Sequence, residues 1–279
     1  EKSNGSMTVE LFPSSQLGSK TDLVDQMQMG EGIIHIGDAS FWADYGAPEM
    51  SIASAPYIYD NWDQYFKLLE TDWWQSQVDL LAENGLRIVT SDWEYGTREL
   101  MTTKPVRTLD DLSGMIIRTP NNVMQMKTWE EMGAAPTAMA LGDVYTATQQ
   151  GTIDGMENPI ATLYGQAYYE VAKYITMIDY IRMPVQWITS ESWFQSLTEE
   201  QQQIICEAGD EAGLFNNQKQ DEMLEQYISD MQANGVEVIT PDDVEMARFK
   251  EAALKIYDNA DVTANWSDGL YENIRSMIS

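Results

Sequence analysis

Short apolar runs alternate along the chain with longer segments in which apolar residues recur every three or four positions. The short runs, bounded by Gly, Pro, Asn and Asp, predict strands. These strands occupy residues 7–12, 32–38, 86–96, 114–120, 152–159 and 236–240. The periodic segments predict helices at 21–30, 61–85, 121–133 and 142–151, in a long stretch from Pro159, at 196–235 and at the C-terminus. Strands that alternate with helices favour an α/β fold in which helices cover mixed sheets.

Composition and charge narrow the class of protein. The 279 residues suffice for one large domain or two of ordinary size, and 43% of them are hydrophobic. The net charge is −29, from 45 acidic residues against 16 basic ones. Long-range repulsion therefore makes nucleic acid and anionic membrane surfaces poor partners. Cys206 is the single cysteine, which excludes an internal disulfide and a cysteine-based metal cluster.

Residues that would support catalysis are scarce. His35 is the single histidine, and it lies in an apolar strand-like run without a nucleophile elbow elsewhere in the chain. Neither type of glycine-rich phosphate loop occurs. In so acidic a chain, carboxylates meet in pairs by chance, so such pairs are not a specific sign of glycosidase-like chemistry. The methionines have the spacing of residues that fill helix cores. We therefore predict no catalytic residue, no metal site and no cofactor.

Four polar residues stand at the ends of predicted strands: Asp38, Arg98, Arg118 and Asn158. In open α/β sheets, ligands bind beyond the carboxyl ends of strands, beside helix N-termini. The planar fork of arginine can give a carboxylate two charge-assisted hydrogen bonds. Two arginines with asparagine amides and no general base predict capture of a carboxylate instead of its conversion.

Each of these residues has a structural alternative. Arg118 could pair with the nearby acids Asp110 and Asp111, and Arg98 could lie on a solvated face. Asn158 stands just before a proline, which is typical of a residue that caps a helix. Spacing alone leaves these alternatives open.

Several segments together resemble the solute-binding proteins of tripartite ATP-independent periplasmic (TRAP) transporters. The resemblance is carried by residues 11–18, 96–122, 132–159 and 168–175, and above all by "RTPNN" followed some forty residues later by "DGMENP". It implies a two-lobed Venus-flytrap fold with mixed β-sheets flanked by helices and a long helix that spans both lobes. Lobe I would comprise residues 1–95 and 184–223, and lobe II residues 96–183 and 224–279. It also implies a periplasmic monomer, or a membrane-tethered one in a Gram-positive source, that binds an organic acid, has no enzymatic activity and docks onto TRAP permease subunits.

The resemblance also implies roles for particular residues. Arg118 would pair with the ligand carboxylate, with the help of Arg98 and Asn158, and Asn121 would be a further pocket residue. Four more side chains would shape the pocket or contact the rest of the ligand: Lys20, Asp38, Phe41 and Leu141. Trp93 would pack on a ring or carbon chain, although it could equally belong to the core, and Asp38 could simply cap a turn.

Departures from the family pattern bear on the ligand. Phe41 and Lys20 stand where sialic-acid binders have an arginine and an acid, so a smaller acid is preferred. Since Asp38 would repel a second carboxylate, a hexuronate or aldonate is favoured over a C4-dicarboxylate. An enzyme that uses Asp38, Glu157 or Tyr95 as a base, and a sensor domain of the same fold, stay open as alternatives.

The chain start carries a further expectation. Family members have a strand and a helix ahead of the segment that matches residues 1–12. Either the sequence given is incomplete, or lobe I forms without them. Neither an apolar signal sequence nor a lipobox cysteine appears at the N-terminus, so any targeting segment has been removed or omitted.

Overall fold

The computed structural model describes residues 2–13 and 16–279, without the side chain of Asp243. The helices are α1 Lys20–Gln28, α2 Ala39–Ala43, α3 Trp62–Leu69, α4 Asp72–Glu83, α5 Val123–Glu131, α6 Val144–Gln149, α7 Ile160–Gly165, α8 Glu191–Ser196, α9 Glu199–Ala233, α10 Met246–Leu254, α11 Ala260–Thr263 and α12 Leu270–Ile278. The strands are β1 His35–Asp38, β2 Leu86–Thr102, β3 Ile116–Thr119, β4 Ala135–Ala138, β5 Gly155–Pro159, β6 Tyr174–Ser190 and β7 Glu237–Ile239. Short 3-10 turns connect several of them.

The fold is organised around two long antiparallel strands, β2 and β6. The sheet order is β1-β6-β2-β5-β3-β4, and β7 pairs with the other end of β6. β1 pairs only with residues 185–188 of β6, whereas β5 and β7 pair with the opposite ends of the two long strands. The long strands therefore run through both halves of the molecule. Three clusters of buried apolar residues form the cores of the two halves.

The ladder between β2 and β6 is irregular where the two halves meet. Glu94 pairs with Pro184 and Gly96 with Met183, with a register shift between the two pairs. The predicted lobe boundaries, 95/96 and 183/184, fall at this shift. Residues 256–278 pack into the cluster that contains α3, although the predicted limits place them with lobe II. The exact lobe limits stay a prediction.

The long helix α9 joins the two halves. It has 35 residues and begins at Thr198, whose side chain accepts a hydrogen bond from the Gln201 N–H group in a capping box. Near its middle it lies directly on β2, because Gly213 has no side chain to hold the carbonyl of Asp92 away. Asn217 fastens this contact by donating to the carbonyl oxygen of Asp92 at 2.9 Å. The expected long helix is thus confirmed.

Three predicted elements are wrong. Residues 7–12 form no strand, since they pair with no described strand, and Val9 and Leu11 are exposed. The helix predicted at 61–85 is split at Thr71, whose side chain caps α4. The helical stretch predicted from Pro159 ends at Gly165, and β6 follows. Most residues of β6 are buried whichever face they occupy, so its sequence lacks the alternation that marks a half-exposed strand.

Candidate functional site

A cavity of about 1220 Å³ opens between the two halves, where β1, β3 and β5 end. Its walls also include the first turns of α1, α2 and α5. Eight of the nine predicted ligand-binding residues line it: Lys20, Asp38, Phe41, Arg98, Arg118, Asn121, Leu141 and Asn158. The volume exceeds the range of roughly 300–1,000 Å³ that is usual for ligand sites, and therefore also what a six-carbon acid needs.

Arg118 is a buried cation without a carboxylate partner among the described residues. It lies near the end of β3, between the parallel strands β4 and β5, and is 4% exposed. Its Nε and Nη2 donate to the carbonyl oxygen of Met139 at 2.9 and 2.7 Å. The alternative of a structural ion pair is wrong, because Asp110 pairs with Arg248 and Asp111 accepts from the Thr108 N–H group. Burial lowers the pKa of Arg118, although the nearby charge of Glu157 acts in the opposite direction.

Arg98 is buried too, but its charge is compensated. Its Nη2 donates to Oε1 of Glu157 at 2.7 Å and its Nε donates to Oε2, while Tyr180 donates its hydroxyl to the same Oε2. Burial disfavours the charged form of Arg98, yet Glu157 outweighs burial and raises the pKa. The alternative of a solvated face is therefore wrong. Arg98 lines the cavity as half of an ion pair that contributes little net charge to it.

Asn158 does not cap the helix that follows it. The residue that precedes α7 is Pro159, and no side chain caps that helix. Asn158 is 2% exposed on β5, and its Oδ1 accepts from the Tyr95 hydroxyl at 3.4 Å. Tyr95 in turn accepts from Oγ1 of Thr162 at 2.8 Å. Nδ2 of Asn158 is buried without a hydrogen-bond partner, and Asn158 lines the cavity.

The opposite wall of the cavity carries an acidic residue, a cationic residue and an aromatic ring, which are Asp38, Lys20 and Phe41. Oδ1 of Asp38 caps α2 by accepting from the N–H group of Phe41 at 3.2 Å, and it also accepts from Oγ of Ser40 at 2.6 Å. Asp38 is therefore both a cap and a cavity residue. The Lys20 ammonium lies 5.1 Å from the centre of the Phe41 ring. Burial, with help from Asp38, raises the pKa of Asp44, which also lines this wall.

Trp93 is the candidate that the structure does not bring to the cavity. Its indole N–H donates to the carbonyl oxygen of Gly209 on α9 at 3.0 Å, and its ring centre lies 4.5 Å from that of Trp187. It is therefore half-buried beneath the long helix, outside the cavity. Leu141 lies on the cavity wall, where its carbonyl oxygen accepts from the Tyr168 hydroxyl at 3.0 Å.

Sequence reasoning missed the place of Gln125 and the pairing of Glu157. Gln125 lines the cavity and is 1% exposed, and it follows the α5 cap Asn122 by three residues. That spacing is a signal that could have placed it in the first turn, beside the ligand. Glu157 was considered only as a base, and no local signal marks it as the partner of Arg98.

The half-buried His35 should make the folded protein less stable at low pH. Burial, with a smaller effect of the Lys20 charge, lowers the histidine pKa to about 4. Because the unfolded chain takes up the proton at about 6.5, stability should fall as the pH drops from that value towards 4. Relative to His35→Phe, which keeps an aromatic ring beside Phe41 and Trp42, the wild type should lose about 2 kcal/mol between pH 7.5 and 5.0. Urea unfolding at both pH values measures this. Equal losses in the two proteins would contradict the shift, since the shared carboxylates cancel in the difference.

Metal and membrane features are absent from the described part of the chain. No group of three or more His, Cys, Asp or Glu residues there could hold a metal ion. No described helix is long and apolar enough to cross a bilayer.

A two-lobed α/β fold with a cavity between the lobes is typical of extracytoplasmic solute-binding proteins. The chain belongs to the family described as bacterial extracellular solute-binding protein, family 7, whose model matches residues 1–262. Its relatives are periplasmic solute-binding proteins of TRAP transporters.

Two solved structures and one further relative illustrate the similarity. The chain is 41% identical to a TRAP periplasmic solute-binding protein from Ochrobacterium anthropi with bound L-fuconate, with a TM-score of 0.93 and coverage of 100% of this chain and 90% of that one. It is 33% identical to a protein of the same kind from Actinobacillus succinogenes with bound L-galactonate, with a TM-score of 0.93 and coverage of 99% and 90%. It is 28% identical to the sialic acid-binding periplasmic protein SiaP of Vibrio cholerae, over 94% of this chain and 80% of that protein.

Proposed function

We propose that this chain captures a sugar acid, of the hexuronate or aldonate class, through its carboxylate and delivers it to the membrane subunits of a TRAP transporter. The observation that carries the proposal is the buried Arg118, whose charge has no carboxylate partner among the described residues. A bound carboxylate would supply the missing counterion and could also accept from Nδ2 of Asn158. The similar proteins with bound L-fuconate and L-galactonate support a polyhydroxylated acid.

The opposite wall argues against a second negative charge on the ligand. Asp38 and Asp44 both line it, and Oδ2 of Asp38 has no hydrogen-bond partner among the described residues. A C4-dicarboxylate would place its second carboxylate near these acids, with Lys20 as the one cation on that wall. Ligand hydroxyls, in contrast, can donate to Asp38. The wall therefore favours a monocarboxylate with hydroxyl groups.

The proposal includes binding without conversion, a periplasmic location and a monomer that docks onto permease subunits. An enzyme would need a general base beside Arg118, but two of the candidate bases are already engaged in hydrogen bonds. Glu157 is held by Arg98 and Tyr180, and Tyr95 is engaged with Asn158 and Thr162. Turnover of a sugar acid by the purified protein would contradict this part of the proposal.

A thermal-shift screen followed by calorimetry tests the ligand class. We expect hexuronates or aldonates to raise the melting temperature more than succinate, malate or keto acids do. Asp38→Asn should weaken the best sugar acid roughly tenfold, because it removes a charged acceptor, and should improve the binding of a dicarboxylate. Asp268→Asn, at an exposed residue outside the cavity, is the control. A larger shift with succinate or malate than with every sugar acid would overturn the choice.

A further inference from the structure

Gln125 is buried at the edge of the cavity to an extent unusual for its residue type. It occupies the first turn of α5, where its N–H group donates to Oδ1 of the cap residue Asn122 at 3.1 Å. Its side chain is 1% exposed, although glutamine is mostly found on protein surfaces. Packing alone would favour an apolar residue there.

The Gln125 amide is also incompletely paired. Among the described residues that line the cavity, two have a buried side-chain polar atom without a hydrogen-bond partner: Nδ2 of Asn158 and Oε1 of Gln125. An unpaired buried polar atom destabilises the folded state, so a ligand that pairs it gains affinity. The two unpaired atoms have opposite hydrogen-bonding roles, since Nδ2 of Asn158 is a donor and Oε1 of Gln125 is an acceptor.

This difference constrains the chemistry of the ligand. Arg118 and Nδ2 of Asn158 offer donors only, which suit a carboxylate. Oε1 of Gln125 requires a donor, and neither an ionised carboxylate nor a keto oxygen can provide one. Arg118 lies near the end of β3 and Gln125 in the first turn of the helix that follows it. The donor is therefore expected close to the carboxylate end of the ligand.

We propose that Gln125 is a specificity-determining residue that accepts a hydrogen bond from a ligand hydroxyl close to the carboxylate, so that the site selects hydroxy acids over keto and deoxy acids. This inference rests on the proposed function and deepens it, because it names the part of the ligand that is recognised. A site built to pair a hydroxyl discriminates strongly against an analogue that lacks it, since the protein acceptor is then left unpaired.

Calorimetry with a series of analogues tests the inference. The probes are the sugar acid that gives the largest thermal shift, its monodeoxy analogues and its 2-keto analogue. Gln125→Met, which keeps the length of the side chain, should bind the parent acid roughly 10-fold to 100-fold more weakly. One deoxy analogue should bind the wild type more weakly by a similar factor, and it should bind Gln125→Met and the wild type equally well.

Gln77→Met is a matched control. Gln77 is 3% exposed, its Oε1 is also buried without a partner, and it lies on α4 outside the cavity. Its replacement should leave every affinity unchanged. Gln125→Asn is a second variant in case the methionine variant does not fold. It keeps the amide on a side chain one methylene shorter, and it should show the same ligand-dependent loss of affinity.

The possible outcomes separate the two proposals. Tight binding of the parent acid by both the wild type and Gln125→Met would overturn the role of Gln125 and leave the proposed function intact. An equal loss for the parent acid and all its analogues would also overturn it, because it would indicate a general structural effect. Binding of no sugar acid by the wild type would overturn the proposed function and this inference together.

Discussion

Replacing Arg118 with alanine should abolish most of the affinity for the acid, with a loss on the order of 2–5 kcal/mol. The ligand carboxylate would lose the buried cation that has no carboxylate partner among the described residues. Arg118→Lys should also bind weakly, because an ammonium cannot reproduce the two parallel hydrogen bonds of a guanidinium. Isothermal titration calorimetry with the best sugar acid measures both effects.

The ligand-free protein gives an independent measurement. Since Arg118 lacks a carboxylate partner, Arg118→Met should melt no lower than the wild type without ligand, even though it fails to bind. Arg248→Ala is the matched control, because Arg248 is exposed and pairs with Asp110 at 2.9 Å outside the cavity. Binding by Arg118→Ala within a factor of two of the wild type would exclude the proposed role.

Glu157→Gln should lower the free energy of unfolding by about 3–5 kcal/mol, because it leaves the buried charge of Arg98 without its carboxylate. Glu157 is completely buried and accepts from both Arg98 and Tyr180, so water cannot replace the lost charge. Urea unfolding monitored by tryptophan fluorescence measures the loss. The double replacement Arg98→Met with Glu157→Leu should recover part of it, since the uncompensated charge is then gone.

The exposed pair of Arg107 and Glu237 is the control for this prediction. Their side chains are 44% and 49% exposed, so Glu237→Gln should cost under about 1 kcal/mol. If Glu157→Gln costs no more than Glu237→Gln, the buried pair does not have the structural role assigned to it.

The class of fold, the family and the position of Arg118 at the end of a strand could all be inferred from the sequence. The apolar run 115–117 predicted a strand with Arg118 at its end. In the structure, Arg118 lies near the end of β3 and lines the cavity. Asn158 was likewise placed at the cavity by its position after a strand. These inferences succeeded because periodicity and turn residues are local, and because ligand sites in α/β sheets lie at strand ends.

Which of these polar groups lack a partner among the described residues depends on contacts that form when the chain folds. Arg98 and Arg118 both stand at the ends of predicted strands, yet Glu157, 59 positions along the chain from Arg98, forms an ion pair with Arg98 and not with Arg118. Trp93 likewise packs against α9 instead of the cavity, because its indole N–H donates to the carbonyl oxygen of Gly209, more than a hundred residues away. Partners this distant are set by strand register and helix packing, which local periodicity does not encode. Which buried arginine lacks a carboxylate partner among the described residues, and with it the proposed anion site, is therefore set by the folded chain.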